Sequence, residues 1–158
     1  VSDHDPIVGL RAHLLDKAEA LRQRLLFAAP ASSLDFEALQ KVLLEPGVMR
    51  FPTVIRFSAQ ALGDGEFAHA HALGEKPSDG YCLFVHPHFE TRTNDLPYLV
   101  LYHLPTINYG DVITHVEAEL FGATALGLDI ESYYQRLCSL ADELPSTETV
   151  RDVTDDAE

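Results

Sequence analysis

Between Thr53 and Leu104 apolar and polar residues alternate with period two, while on either side apolar residues recur every three to four positions. Period two belongs to strands and period 3.6 to helices, so the switch divides the chain into helical ends and a sheet-forming middle. Prolines punctuate the middle. Pro52 precedes the alternation, Pro77 falls in a turn, Pro87 ends a run, and Pro97 and Pro105 bracket the last one. Because proline donates nothing to a ladder, these positions read as strand limits. Strands are therefore expected over 53–62, 66–74, 80–87 and 97–104. The loops between them are short, which implies antiparallel hairpins.

The helical period frames this middle. Asp5-Pro6 opens a helix that carries Leu10, Leu14, Ala18, Leu21 and Leu25 on one stripe and closes at Pro30. Ser33 is the expected cap of a second helix, with Phe36, Leu39 and Leu43 inward, stopped by Glu45-Pro46-Gly47. Asp111 would cap a third, with Val112, Val116, Leu120 and Ala123 inward, ending near Gly127. Asp129 caps the last, with Ile130, Tyr133, Leu137, Leu140 and Leu144 inward and Pro145 as its stop. The expected fold is α+β in the order ααββββαα, a four-stranded antiparallel sheet of two hairpins with helices covering one face. Residues 1–145 form one domain, and 146–158 an acidic C-terminal tail.

The turn at Gly63-Asp64-Gly65 sorts the side chains of the first hairpin. A two-residue primed turn at Asp64-Gly65 pairs Gly63 with Glu66 and sets Gln60 opposite His69, Ser58 opposite His71 and Arg56 opposite Leu73. Arg56, Ser58, Gln60, His69 and His71 then share one face. Ile55, Phe57, Ala59, Ala61, Ala68, Ala70 and Ala72 share the other. A slip of one residue would exchange the faces; the two-residue turn is preferred because it separates polar from apolar. The third strand adds Cys82, Phe84 and His86 to the histidine face, and the fourth adds Leu101 and His103.

That face supports three readings. The one preferred is a homodimer whose histidine face forms a pocket for a small polar or anionic ligand, with a transition metal; a metal-free binding or assembly protein is the alternative. Two imidazoles of His69-x-His71 point to one side about 6 to 7 Å apart. With His86 or His103 they would ligate zinc, iron or nickel, leaving a position open for a reactive water. Glu75 and Glu119 are the candidate carboxylates. In the second reading no metal is present, and Arg56, with Ser58 and Gln60, holds the carboxylate or phosphate of a small polar ligand. An ion pair from Arg56 to Glu66 or Asp64 is the plainer alternative. In the third, the face is the interface of a homodimer without enzymatic activity. A Cys82/His86 nucleophile pair is a further, weaker arrangement.

The run Gly65-x3-His69-x-His71-x3-Glu75-x4-Gly80 resembles a shortened first cupin motif over some 16 residues. It departs in both glycine spacings, and the second motif, with its later glycine, proline and histidine, is missing. The strand region is also too short for a cupin double sheet, so the family's function does not carry over.

Composition narrows the partners. The chain has 25 acidic and 11 basic residues, a formal charge of −14, and only three lysines. Such a surface repels phosphate backbones and anionic lipid, which disfavours nucleic-acid and membrane partners. No apolar run of membrane-spanning length occurs, and no leader is visible, so a cytoplasmic location is expected. Cys82 and Cys138 are widely spaced and read as reduced thiols. No hydrolase elbow, phosphate-binding loop, dinucleotide glycine fingerprint or zinc-protease motif is found.

Overall fold

The computed structural model describes residues 6–29 and 34–144. Five helices and three strands follow in the order α1 (Pro6–Ala28), α2 (Phe36–Leu43), β1 (Thr53–Phe57), β2 (Ala68–Ala72), β3 (Tyr81–Val85), α3 (Leu96–Tyr109), α4 (His115–Leu126) and α5 (Ile130–Asp142). Asp5, Pro30, Ser33, Pro145 and the acidic tail lie outside the described residues.

The sheet is three-stranded and mixed, in the order β1-β3-β2. β3 pairs parallel with β1, from Thr53↔Tyr81 to Phe57↔Val85. It pairs antiparallel with β2, from Ala68↔Val85 to Ala72↔Tyr81. This overturns the four-stranded sheet of two hairpins. Glu66 N does donate to Gly63 O, but the turn there does not join paired strands. The chain from 58 to 67 instead carries β2 past the position of β3, and only β2 and β3 form a hairpin. Gly80 permits that hairpin's exit: its φ is 95°, and a Cβ there would press on Pro52 O.

The expected fourth strand is also wrong. Residues 97–104 lie inside α3, whose buried residues include Leu96, Leu99, Val100, Leu101, Leu104 and Ile107. These cover most sides of the helix, so its sequence shows a near-continuous apolar run instead of a stripe. Periodicity cannot separate such a run from a buried strand. Pro97 occupies the first turn, where its missing N–H is harmless, and Pro105 sits within the helix.

The flanking helices show how local signals work. Asp35 caps α2, its side chain accepting from Ala38 N. Thr114, not Asp111, caps α4, and Glu117 completes a capping box by accepting from Thr114 N and Oγ1. Glu117 is 1% exposed and also takes Arg11 of α1, so the cap fastens two helices together. Val112 and Val116 are exposed, while Ala118, Phe121 and Ala123 of α4 face the core. Gly127 ends α4 in the left-handed conformation, and Asp129 caps α5. Tyr133, Leu137 and Leu140 of α5 are buried, but Ile130 is exposed.

α4 and α5 approach closely because Gly122 has no side chain. The Tyr133 ring occupies that space, and its hydroxyl donates to Tyr98 O at 2.7 Å. A Cβ at Gly122 would overlap the Tyr133 hydroxyl. On an exposed helix, Gly→Ala stabilises by up to about 1 kcal/mol. Here Gly122→Ala should instead destabilise by about 1–3 kcal/mol through overpacking. Tyr133→Phe should cost about 1 kcal/mol through the lost hydrogen bond. Urea unfolding of the two variants checks both values.

Candidate functional site

Residues paired across neighbouring strands share a face. The register therefore builds two adjacent rows on one side of the sheet, Arg56–Phe84–His69 and Val54–Cys82–His71. The alternate rows, Phe57–Val85–Ala68 and Ile55–Leu83–Ala70, turn toward the helices, with Val85, Leu83 and Ala68 buried. On the first side Arg56, His69 and His71 are exposed, and Val54 is 43% exposed. This side is the open face of the sheet. The rows differ from the expected pairs: His69 lies across from Phe84, not Gln60, and His71 across from Cys82, not Ser58.

The remaining candidates disperse. Ser58 continues β1 by one bond, its N donating to Val85 O, and its Oγ accepts weakly from Gln60 N in the following turn. Gln60 is exposed there, beyond the end of the strand. His86 follows β3 and caps the turn Pro87–Phe89, its Nδ1 accepting from His88 N at 3.1 Å. Burial, with a smaller push from His88, lowers the His86 pKa. His88 bonds Glu143 at 3.0 Å, and the same carboxylate takes Arg92. The Arg92 and His88 hydrogen bonds hold Glu143 down at about 2. This network ties the end of α5 to the loop after β3.

His103 belongs to α3 and packs edge-on against Phe67 and Tyr102. Its Nε2 is enclosed and has no hydrogen-bond partner among the described residues. Burial is the main cause, and His69 a lesser one, of a pKa lowered to about 4. His69 Nδ1 lies 3.5 Å from Glu66 Oε2, and the His71 ring rests against Phe84. Among the described residues no three His, Cys, Asp or Glu side chains gather closely enough to hold a metal ion. Glu75 is exposed in the loop after β2, and Glu119 stands on α4, where burial raises its pKa. Burial also raises the Cys82 thiol, against a smaller opposing effect of Arg56. A raised thiol pKa lowers the thiolate fraction, which counts against the Cys82/His86 pair. Both cysteines are free.

Arg56 is the cation of this face. Its one hydrogen bond runs to Ile55 O at 3.4 Å, and among the described residues it makes no ion pair. Glu66, its suggested partner, is turned instead to His69 and to Gly63 N. Arg56 and Val54 also border a cleft of about 600 Å³ beside β1, lined by apolar groups that include Leu43, Leu44, Met49 and Ile55. Sequence reasoning missed this cleft, because its walls come from the chain before β1 and from α3.

The chain matches no protein-family model, no curated protein and no solved structure. Among the described residues no helix is long and apolar enough to cross a membrane.

His103 gives this region a pH signature. Its folded pKa of about 4 lies below the ordinary 6.5, so the unfolded chain takes up a proton that the folded chain refuses. Stability is then intact above pH 6.5 and falls as the pH drops from 6.5 toward about 4. The full shift corresponds to about 3 kcal/mol. Denaturant unfolding across this range should show a shallower decline for His103→Leu than for the wild type.

Proposed function

We propose that this chain is a metal-free binding domain for a small molecule that joins an apolar body to one anionic group. Arg56 carries the reading: an arginine without a carboxylate partner among the described residues, at the lip of a 600 Å³ apolar cleft, in a chain of formal charge −14. Small-molecule sites range over about 300–1,000 Å³ and are mostly apolar, with a few polar groups fixing orientation. Guanidinium offers a planar fork that a carboxylate or phosphate meets with two bonds. Beside it, Phe84 supplies an aromatic surface and His69 a second polar edge in the same row.

The extent of the open face favours a small ligand over a dimer. Three strands about 4.8 Å apart, each of five residues rising about 3.3 Å, cover roughly 240 Å². A stable protein interface takes about 800 Å² from each partner. The metal alternative rests on His69 and His71 alone, because His86 is engaged in its turn and His103 is enclosed against Phe67.

Benzoate is a suitable probe, being a carboxylate on an apolar body. It should raise the melting temperature of the wild type and perturb amide signals of Leu44, Val54 and Arg56. Arg56→Ala should lose both effects, whereas zinc, iron(II) and nickel should shift neither protein. An equal benzoate shift in Arg56→Ala, or saturable stabilisation by one of the metals, would defeat the reading.

A further inference from the structure

A second cleft, of about 610 Å³, lies on the far side of Arg50, between α1 and α3. Its charged lining is one-sided. His13, Lys17 and Arg24 project from α1, Arg50 stands on the segment before β1, and among the described residues no Asp or Glu lines the cleft. Three of the chain's eleven basic residues meet here, although acidic residues outnumber basic ones by 25 to 11. In a low-dielectric concavity such a grouping focuses positive potential.

Arg50 is held for a purpose that its own bonds do not exhaust. Asn108, 4% exposed, accepts from Arg50 N at 2.9 Å and donates to Val48 O at 3.1 Å. Its carbonyl takes Arg50 Nη1 at 2.8 Å. The guanidinium lies over the rings of Phe51 and Tyr109, at 5.3 and 5.4 Å from their centres. One of five N–H donors is used, the plane is fixed, and no carboxylate among the described residues neutralises it. Tyr109 Oη meets His13 Nε2 at 2.9 Å, joining α3 to α1 across the cleft. Arg24 is partly satisfied by Glu45 at 2.9 Å, and Lys17 is exposed and makes no ion pair among the described residues.

A fixed guanidinium and a flexible ammonium lining one cleft, together with Leu21, Leu104 and Phe121, are an arrangement for a doubly charged oxyanion. We propose that this cleft binds a small molecule through a dianionic head group, held by Arg50 and Lys17 with Arg24 at the rim. The site shares Arg50 and Leu104 with the cleft beside Arg56 but draws its other cations from α1, and it does not depend on Arg56. A phosphoryl group and a pair of carboxylates both supply the charge, and two probes tell them apart.

Inorganic phosphate and succinate would be titrated separately into the full chain at low ionic strength, with amide spectra to place the site and calorimetry to give affinity. The expected result is saturable binding of one probe with perturbation centred on Lys17, Val48, Arg50 and Tyr109. Phosphate alone identifies a phosphorylated ligand, and succinate alone a dicarboxylate. Lys17→Glu, an exposed position, should weaken binding at least tenfold, and Lys41→Glu, the same charge change at an exposed lysine outside the cleft, should leave it unchanged. Absence of saturable perturbation by either probe, unchanged affinity in Lys17→Glu, or perturbation confined to the open sheet face would each overturn the proposal.

Discussion

Double pairing of the strand Tyr81–Val85 is the constraint on which the rest of the structure depends. It bonds parallel to β1 on one side and antiparallel to β2 on the other, and Cys82, Leu83 and Val85 are buried. A strand in this position has no free edge, so both of its neighbours are edge strands. Arg56 and His69 are thereby placed on the two outer strands with Phe84 between them. Parallel pairing with β1 also demands that the chain travel back before β3 begins, and β2 is the element that makes the return. The open face owes both its composition and its small extent to this three-strand arrangement.

The opposite face is closed by helices, and α3 is the one around which they assemble. It packs on β2, α2, α4 and α5. Burial on so many sides selects Leu, Val and Ile nearly all round, which accounts for its strand-like appearance in the sequence. The same helix holds three specific contacts. Asn108 fixes the segment of Val48 and Arg50, Tyr98 O receives the Tyr133 hydroxyl, and His103 fills space against Phe67. Both clefts take part of their walls from α3. Arg50 borders both, so one anchored side chain divides two candidate binding regions with different chemistry.

The histidines illustrate how far spacing can be carried. His69 and His71 do emerge on one side of β2, because two-residue spacing in a strand leaves no other choice. A third ligand had to come from another element. His86 meets its own turn first, since Pro87 bends the chain immediately after it and His88 N takes its Nδ1. His103 belongs to a helix, so strand parity did not apply to it. The cationic cleft had no sequence signature: Lys17 and Arg50 are far apart in the chain, and Asn108 looks like any helix-end asparagine.

What the sequence determined by itself was local. Leu14, Ala18, Leu21 and Leu25 define the buried stripe of α1, Gly127 ends α4, Asp129 starts α5, and strand parity separates Arg56, His69, Cys82 and Phe84 from Ile55, Ala68 and Leu83. Each of these follows from steric and hydrogen-bonding relations among residues a few positions apart. Tertiary structure alone decided that β3 lies between β1 and β2, that 96–109 is helical, and that Lys17 and Arg50 line one cleft. Those outcomes depend on which surfaces bury each other after the chain has closed long loops. That competition is settled by packing across the whole core, and no window of neighbouring residues contains it.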